Sequence, residues 1–224
     1  MKIIDKAMKR GATTLSEHES KLFLAEHGIA VTREVLAETE DGIVSAAEKI
    51  GYPIVLKASG DELSHKTELN LIALDLRNEE ETRNAYQRLL SHPDVAVREV
   101  LVQQMIKGDR ELVAGLTRDE QFGPCVMFGL GGIFTEILED IAFRVAPLTR
   151  GDAMEMMESI RAKKILGPIR GKTPVDREIL ANILIALGEI GLRYETVKEI
   201  DINPIKIHDG KPIAVDALVV LSPG

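Results

Sequence analysis

The chain has 224 residues, 45% hydrophobic and 29% charged, which fits a folded protein of one large domain or two small lobes and excludes a disordered or fibrous class. Its formal net charge of −8 argues against a nucleic-acid partner, because phosphate neutralisation needs a basic face. A single cysteine, Cys125 inside the apolar run PCVMF, excludes an intrachain disulfide and reads as core. The N-terminal MKIIDKAMKRG has no signal-peptide pattern and no run reaches the ~18 apolar residues of a membrane helix, so the expectation is a cytoplasmic protein with no membrane contact.

Taken in chain order, the first ten residues read as a frayed helix or a partner-docking arm. LSEHESKLFLAEHGI then reads as a helix: Ser16 with Glu19 three positions on is a capping box, Leu22, Phe23 and Leu24 begin an apolar face, and Gly28 ends it. REVLA is a short strand, EDGIVSAAEKIG a helix stopped by Gly51, and PIVLKAS and LNLIALDL are strands. NEEETRNAYQRLLSH is a helix opened by Asn78, closing a smaller lobe of about residues 28–100. Strands at 98–106, 111–118, 123–129 and about 133–146 follow, joined by KGD, RDEQ and GLGG, and short links between consecutive strands predict an antiparallel sheet. Helices near 151–160 and 175–191 and a strand pair around HDGK complete a larger lobe of about 101–224, to which the N-terminal helix is assigned. The expected class is α+β, with the two lobes packed together.

The sharpest inference from spacing comes from DINPIKIHDGKPIAVDALVVL. Asp209-Gly210 between apolar runs is a type I′ hairpin signal, which pairs His208 with Lys211 and, counting outward, Asn203 with Asp216. Directly opposed residues share a face, so an amide oxygen and a carboxylate could meet one hard cation there, Mg2+ with nucleotide phosphates being the natural candidate. A plain Asn–Asp hydrogen bond is the alternative; Asp201 shares the face two residues earlier. Lys57, at the end of a buried strand before a glycine-containing loop, is placed as a point charge for phosphate, or as an ordinary surface lysine. His65, beside Lys66 in that loop, is the histidine best placed to be a nucleophile. The GLGG cluster allows close backbone approach to a ligand, with Glu136, Asp140 and Arg144 around it. Arg144 calls for an anion, either phosphate or a neighbouring carboxylate, and Arg170 in GPIRGK reads as a solvated loop arginine.

LSEHESKLFLAEHGI, GYPIVLKASGDELSHKTEL, ELVAGLTRDEQFGPCVMFGLGGIFTEILEDIAFRVAPL and EIDINPIKIHDGKPIAVDAL together resemble the β subunit of ADP-forming acetyl-CoA synthetases, ATP-grasp proteins related to the succinyl-CoA synthetase β subunit. The resemblance runs from about residue 12 over most of the chain. It implies an ATP-grasp fold of two lobes around a nucleotide cleft. It makes Lys57 a contact to the phosphates of ATP or ADP, the segment Gln103, Gln104, Met105 and Ile106 the adenine receptor, and Glu111 the acid near the ribose. Arg144 would add positive charge, and Asn203 and Asp216 match the Mg2+ ligands. His65 matches the histidine that takes a phosphoryl group from an α subunit and passes it to ADP, so the chain is expected to be the phosphoryl-transfer half of an acid-thiol ligase in an α/β hetero-oligomer, with phosphate as a further substrate. One departure stands out: Asn70 and Leu71 occupy positions where the family commonly has paired glycines. A stand-alone ATP-grasp carboxylate ligase and a degenerate nucleotide-binding regulatory module are the alternatives.

Overall fold

In the computed structural model, which describes residues 2–59, 71–92, 97–108, 110–132, 140–169 and 171–222, the described strands form two sheets, of four and six strands, with antiparallel pairing. The chain divides into a smaller unit, Thr32–Ile106, and a larger one, Met1–Val31 with Lys107–Gly224.

Helices α1 (Lys2–Lys9) and α2 (Glu17–Glu26) open the chain. The start is not a frayed arm: Ile4 and Ala7, three positions apart on one helical face, are buried in the larger unit's core. At α2 the capping box is present, with Ser16 Oγ accepting from the Glu19 N–H and the Glu19 carboxylate accepting from the Ser16 N–H. The Leu15 N–H donates to Val219 O and the Leu221 N–H to Thr13 O, so this segment is stitched to the last strand.

The smaller unit runs β1 (Glu34–Ala37), α3 (Glu40–Ile50), β2 (Ile54–Ser59), β3 (Ile72–Leu76), α4 (Glu79–Leu90) and β4 (Glu99–Gln104), with sheet order β1-β4-β2-β3. Thr39 and Asn78 cap the two helices by accepting from the N–H groups of Gly42 and Glu81. Strand alternation then sorts the side chains. Ile54, Leu56, Ala58, Val100 and Val102 form one core with Ile43 and Ala47 of α3 and Ala85 and Leu89 of α4, while Val55, Lys57, Leu101 and Gln103 take the opposite face.

The larger unit continues with β5 (Glu111–Asp119), β6 (Gly123–Leu130), β7 (Ile141–Val145), α5 (Arg150–Ser159), a 3-10 turn Lys163–Leu166 and α6 (Arg177–Arg193). It ends with β8 (Val197–His208), β9 (Lys211–Ala214) and β10 (Leu218–Leu221), in the order β10-β8-β5-β6-β7 with β9 added to β8. Leu180, Ile183, Leu184 and Leu187 of α6 bury one helical stripe against Leu116, Val126, Phe128, Ile200 and Ile202 of the sheet. Arg118 closes the end of that helix by donating to the carbonyls of Gly191, Tyr194 and Val197.

The sequence pattern is corrected at one junction. The strands on either side of KGD do not share a sheet: β4 pairs with β1 and β2, whereas β5 pairs with β6 and β8. Past Lys107 the chain is captured by the larger unit at once. Gly108 lies so close to Ile207 that a Cβ would sit 2.6 Å from its carbonyl oxygen, and the Ile207 N–H donates to Arg110 O at 3.2 Å. The buried Arg110 guanidinium then donates to Thr173 O at 2.6 Å. Of the strand expected over 133–146, Ile141–Val145 lies within the described residues, and none of the described helices is long and apolar enough to cross a membrane.

Candidate functional site

The hairpin that carries the expected metal ligands forms in the expected register. Asp209 and Gly210 both have positive φ, 49° and 83°, as a type I′ turn requires. Pairing then runs His208 with Lys211, Ile207 with Pro212, Lys206 with Ile213 and Ile205 with Ala214. The Val215 N–H donates to Pro204 O at 3.0 Å, and the next positions outward are Asn203 and Asp216.

A bulge sets Asn203 apart from its strand. Against β5, Ile205 pairs with Leu112 and Ile202 with Ala114, so β8 holds one more residue than its neighbour across the stretch containing Asn203 and Pro204. Pro204 has no N–H to give to a ladder, which makes this the natural place for the irregularity. Ile200, Ile202 and Ile205 stay buried on the core face, and Asp201, Asn203 and Asp216 are half-buried.

The charges there are negative. Burial pushes the Asp201 carboxyl up to about 6, helped by the negative charges of Glu199 and Asp216, so the carboxylates of Asp201 and Asp216 feel one another. Among the described residues no group of three or more His, Cys, Asp or Glu side chains forms a metal cage. An amide oxygen and one or two carboxylates are instead the sparse, hard-oxygen set that suits Mg2+, which takes a few protein oxygens and completes its shell with phosphate and water. The residues present fit that ion.

Asn203 Oδ1 accepts from the Gly132 N–H at 3.2 Å, and this joins it to Glu111. The Gly131 N–H donates to Glu111 O at 2.9 Å. A Cβ on Gly131 would collide with the Leu112 carbonyl, and one on Gly132, whose φ is +64°, would collide with the Glu111 carboxylate. The paired glycines of GLGG therefore bring loop backbone against β5. Glu111 also pairs with Lys206 at 3.0 Å, a partner that the sequence reading did not single out.

Arg144 is not part of this group. Its register partner Val126 lies on the core face, and the guanidinium pairs with Glu155 of α5 at 3.5 Å. Asp201 is in register with Gly115, and Gly115 with Met127, on the other face of the sheet. Asp140 also has a structural occupation: its carboxylate accepts from the N–H groups of Arg161 and Ala162, both at 2.7 Å. Cys125 is buried, and desolvation pushes its thiol pKa up, as expected of a core cysteine.

In the smaller unit, Lys57 and Gln103 share the sheet face turned away from α3 and α4, where Lys57 is only 5% exposed and Gln103 only 1%. Gln104 points the other way, accepting from Arg33 Nε at 3.1 Å, and the Met105 N–H donates to Pro53 O at 3.3 Å. Ile106 is buried. Leu71 is fully buried in the core shared with α3 and α4, and its carbonyl accepts from the Ala58 N–H at 3.0 Å. His65, with Lys66, Asn70, Glu136 and Arg170, lies outside the described residues.

The ATP-grasp domain family matches residues 6–221. The β subunit of acetate–CoA ligase (ADP-forming) I from Pyrococcus furiosus is 42% identical over 98% of this chain and 96% of its own length. A structure of Ca. Korarchaeum cryptofilum dinucleotide-forming acetyl-coenzyme A synthetase 1, in complex with coenzyme A and Ca-AMPCP, aligns with a TM-score of 0.95 and 39% identity over 99% of each chain. Another structure of that enzyme, with coenzyme A and Mg-AMPPCP and its phosphohistidine segment pointing towards the nucleotide binding site, aligns with a TM-score of 0.88 and 39% identity, again over 99% of each chain. The chain belongs to the ATP-grasp family, and within it to the β subunits of the ADP-forming acetyl-CoA synthetases.

Proposed function

We propose that this chain binds ADP or ATP with Mg2+ in the cytoplasm and carries a phosphoryl group on His65, working with an α subunit that handles CoA and the acyl group. The overall reaction is acyl-CoA + ADP + phosphate giving acid + CoA + ATP, in either direction. The observation that carries this reading is the placement of Asn203 and Asp216 just beyond the Pro204–Val215 bond of one hairpin, near Asp201, in a chain whose relatives are solved with metal nucleotides.

Asn203 and Asp216 would hold the metal. When bound, it neutralises phosphate charge and fixes the orientation of the nucleotide. Lys57, only 5% exposed, would add a point charge for the phosphates. Gln103, on the same face, and the backbone through Gln104, Met105 and Ile106 receive the adenine, and Glu111 meets the ribose. Neutral His65 attacks phosphorus through a ring nitrogen as the bond to the α-side carrier breaks. A terminal oxygen of ADP then displaces the imidazole, which leaves with its electron pair. Such transfers depend on in-line positioning and charge neutralisation, so fixed cationic groups suffice on the nucleotide side.

The test is labelling. The chain is incubated with its α partner, acyl-CoA and radiolabelled phosphate, comparing wild type with His65→Ala. The proposal expects acid-labile label on the wild-type chain and none on the variant. Equal labelling of both would remove His65 as the carrier, and steady turnover by the isolated chain with a carboxylate and ATP would favour a stand-alone ligase.

A further inference from the structure

Helix α2 buries an unusual stripe. Glu17, Ser20, Lys21 and Leu24, at helical spacing, all face inward, and the Lys21 side chain is only 1% exposed. Its ammonium donates to Glu17 Oε1 at 2.9 Å, one turn back, and to the carbonyl of Val215 at 3.2 Å. Ser20 Oγ accepts from the Val219 N–H at 3.1 Å. The helix thus grips both ends of the link between β9 and β10, and that link contains Asp216.

Burying a lysine–glutamate pair is no route to stability, since well-packed apolar residues of the same volume usually do as well or better. What this pair achieves is location. Val215 is held on one side by its N–H to Pro204 O and on the other by its carbonyl to Lys21. Pro204 adjoins Asn203 and Val215 adjoins Asp216, so the two bonds fix the backbone immediately beside both proposed metal ligands. Nothing in β9 does this, because the ladder ends at Ala214.

We propose that Lys21 is a positioning residue for the divalent-metal site: its bond to Val215 O sets the placement of the Asp216 carboxylate relative to Asn203, while Glu17 is the lysine's charge partner inside the fold. This rests on the reading of Asn203 and Asp216 as metal ligands. Groups that orient a ligand without touching the ion commonly change metal affinity by 10–100-fold when removed.

Two variants of the full chain separate positioning from stability, with Asp216→Asn as the reference for the site itself. Mn2+ binding in the presence of ADP is followed by electron paramagnetic resonance, and thermal unfolding is measured in parallel without metal. Glu17→Gln leaves the lysine bonded to Val215 but weakens its charge partner; it should lower the melting temperature and leave Mn2+ affinity within about twofold of wild type. Lys21→Met combined with Glu17→Leu replaces the pair by apolar bulk; it should keep the melting temperature and weaken Mn2+ about tenfold. Wild-type Mn2+ affinity in the double variant would overturn the proposal, as would a loss in Glu17→Gln equal to that in the double variant. If Asp216→Asn itself binds Mn2+ like wild type, the metal-site reading fails and the proposal falls with it.

Discussion

Lys57 in the smaller unit and Asp201 in the larger one occupy similar settings, mid-sheet on the face turned away from the helices, yet they pose opposite electrostatic problems. Lys57 brings a positive charge into a buried position beside Gln103. Asp201 is raised to about 6 by burial first, and then by its negative neighbours Glu199 and Asp216. Under the proposed function each has a role of its own, Lys57 towards phosphate and the Asp201–Asp216 side towards the divalent ion.

That comparison can be broken from the cationic side first. Lys57→Met should lower kcat/KM about 100-fold and weaken ADP binding whether or not Mg2+ is present, because it removes a charge aimed at phosphate rather than at the metal. Steady-state kinetics and calorimetry check both parts. A loss seen only with Mg2+ present would mean that Lys57 acts on the metal side, and the contrast between the units would be wrong.

On the anionic side the sharpest backbone probe is Gly132→Ala. The residue has φ +64° and no room for a Cβ beside the Glu111 carboxylate. The change should cost roughly 2 kcal/mol in a denaturant melt, through left-handed strain and displacement of Glu111. Nucleotide affinity should fall as well, since Gly132 also bonds Asn203.

Charges outside the two patches should affect stability alone. Arg10 holds Glu19 through two bonds, 2.7 and 2.6 Å, and this hydrogen bonding keeps the Glu19 carboxyl below its ordinary value of 4.5. A depressed acid stabilises above its unfolded pKa and loses that contribution as pH falls through the folded value. Glu19→Gln, which retains the capping geometry, should therefore cost at most about 1 kcal/mol at neutral pH, the pair being partly exposed to screening solvent. The deficit should shrink below pH 4.5 and vanish in stronger acid, as thermal melts across pH will show. Smallest of all is Arg144→Gln: the guanidinium sits with Glu155 on the helix side, so stability should change by less than about 0.5 kcal/mol and ADP affinity should not change.

Much of this was legible where a single local rule decides the geometry. The Asp209-Gly210 turn fixed a register that runs to Ile205 and Ala214, two positions short of Asn203 and Asp216, and Ser16 and Asn78 act as helix caps. Non-local choices were not legible. Strand propensity marks β4 and β5 but cannot tell which sheet each joins, and that is settled by Gly108 meeting Ile207 and Arg110 meeting Thr173, both far along the chain. Of the two anions weighed for Arg144, the structure shows a carboxylate, that of Glu155, a choice that depends on the non-local register between β6 and β7. Lys21 did leave a trace, as Glu17, Ser20, Lys21 and Leu24 follow the inward stripe of an amphipathic helix, yet a charged residue on that stripe is easily read as solvent-facing.

The central claim is that Asn203 and Asp216 hold the divalent ion of a bound nucleotide, and the most direct measurement is calorimetric titration of ADP with and without Mg2+ into wild type and Asp216→Asn. The account predicts that Mg2+ tightens ADP binding to wild type about tenfold or more and leaves the variant unaffected. An equal Mg2+ enhancement in both proteins would contradict it.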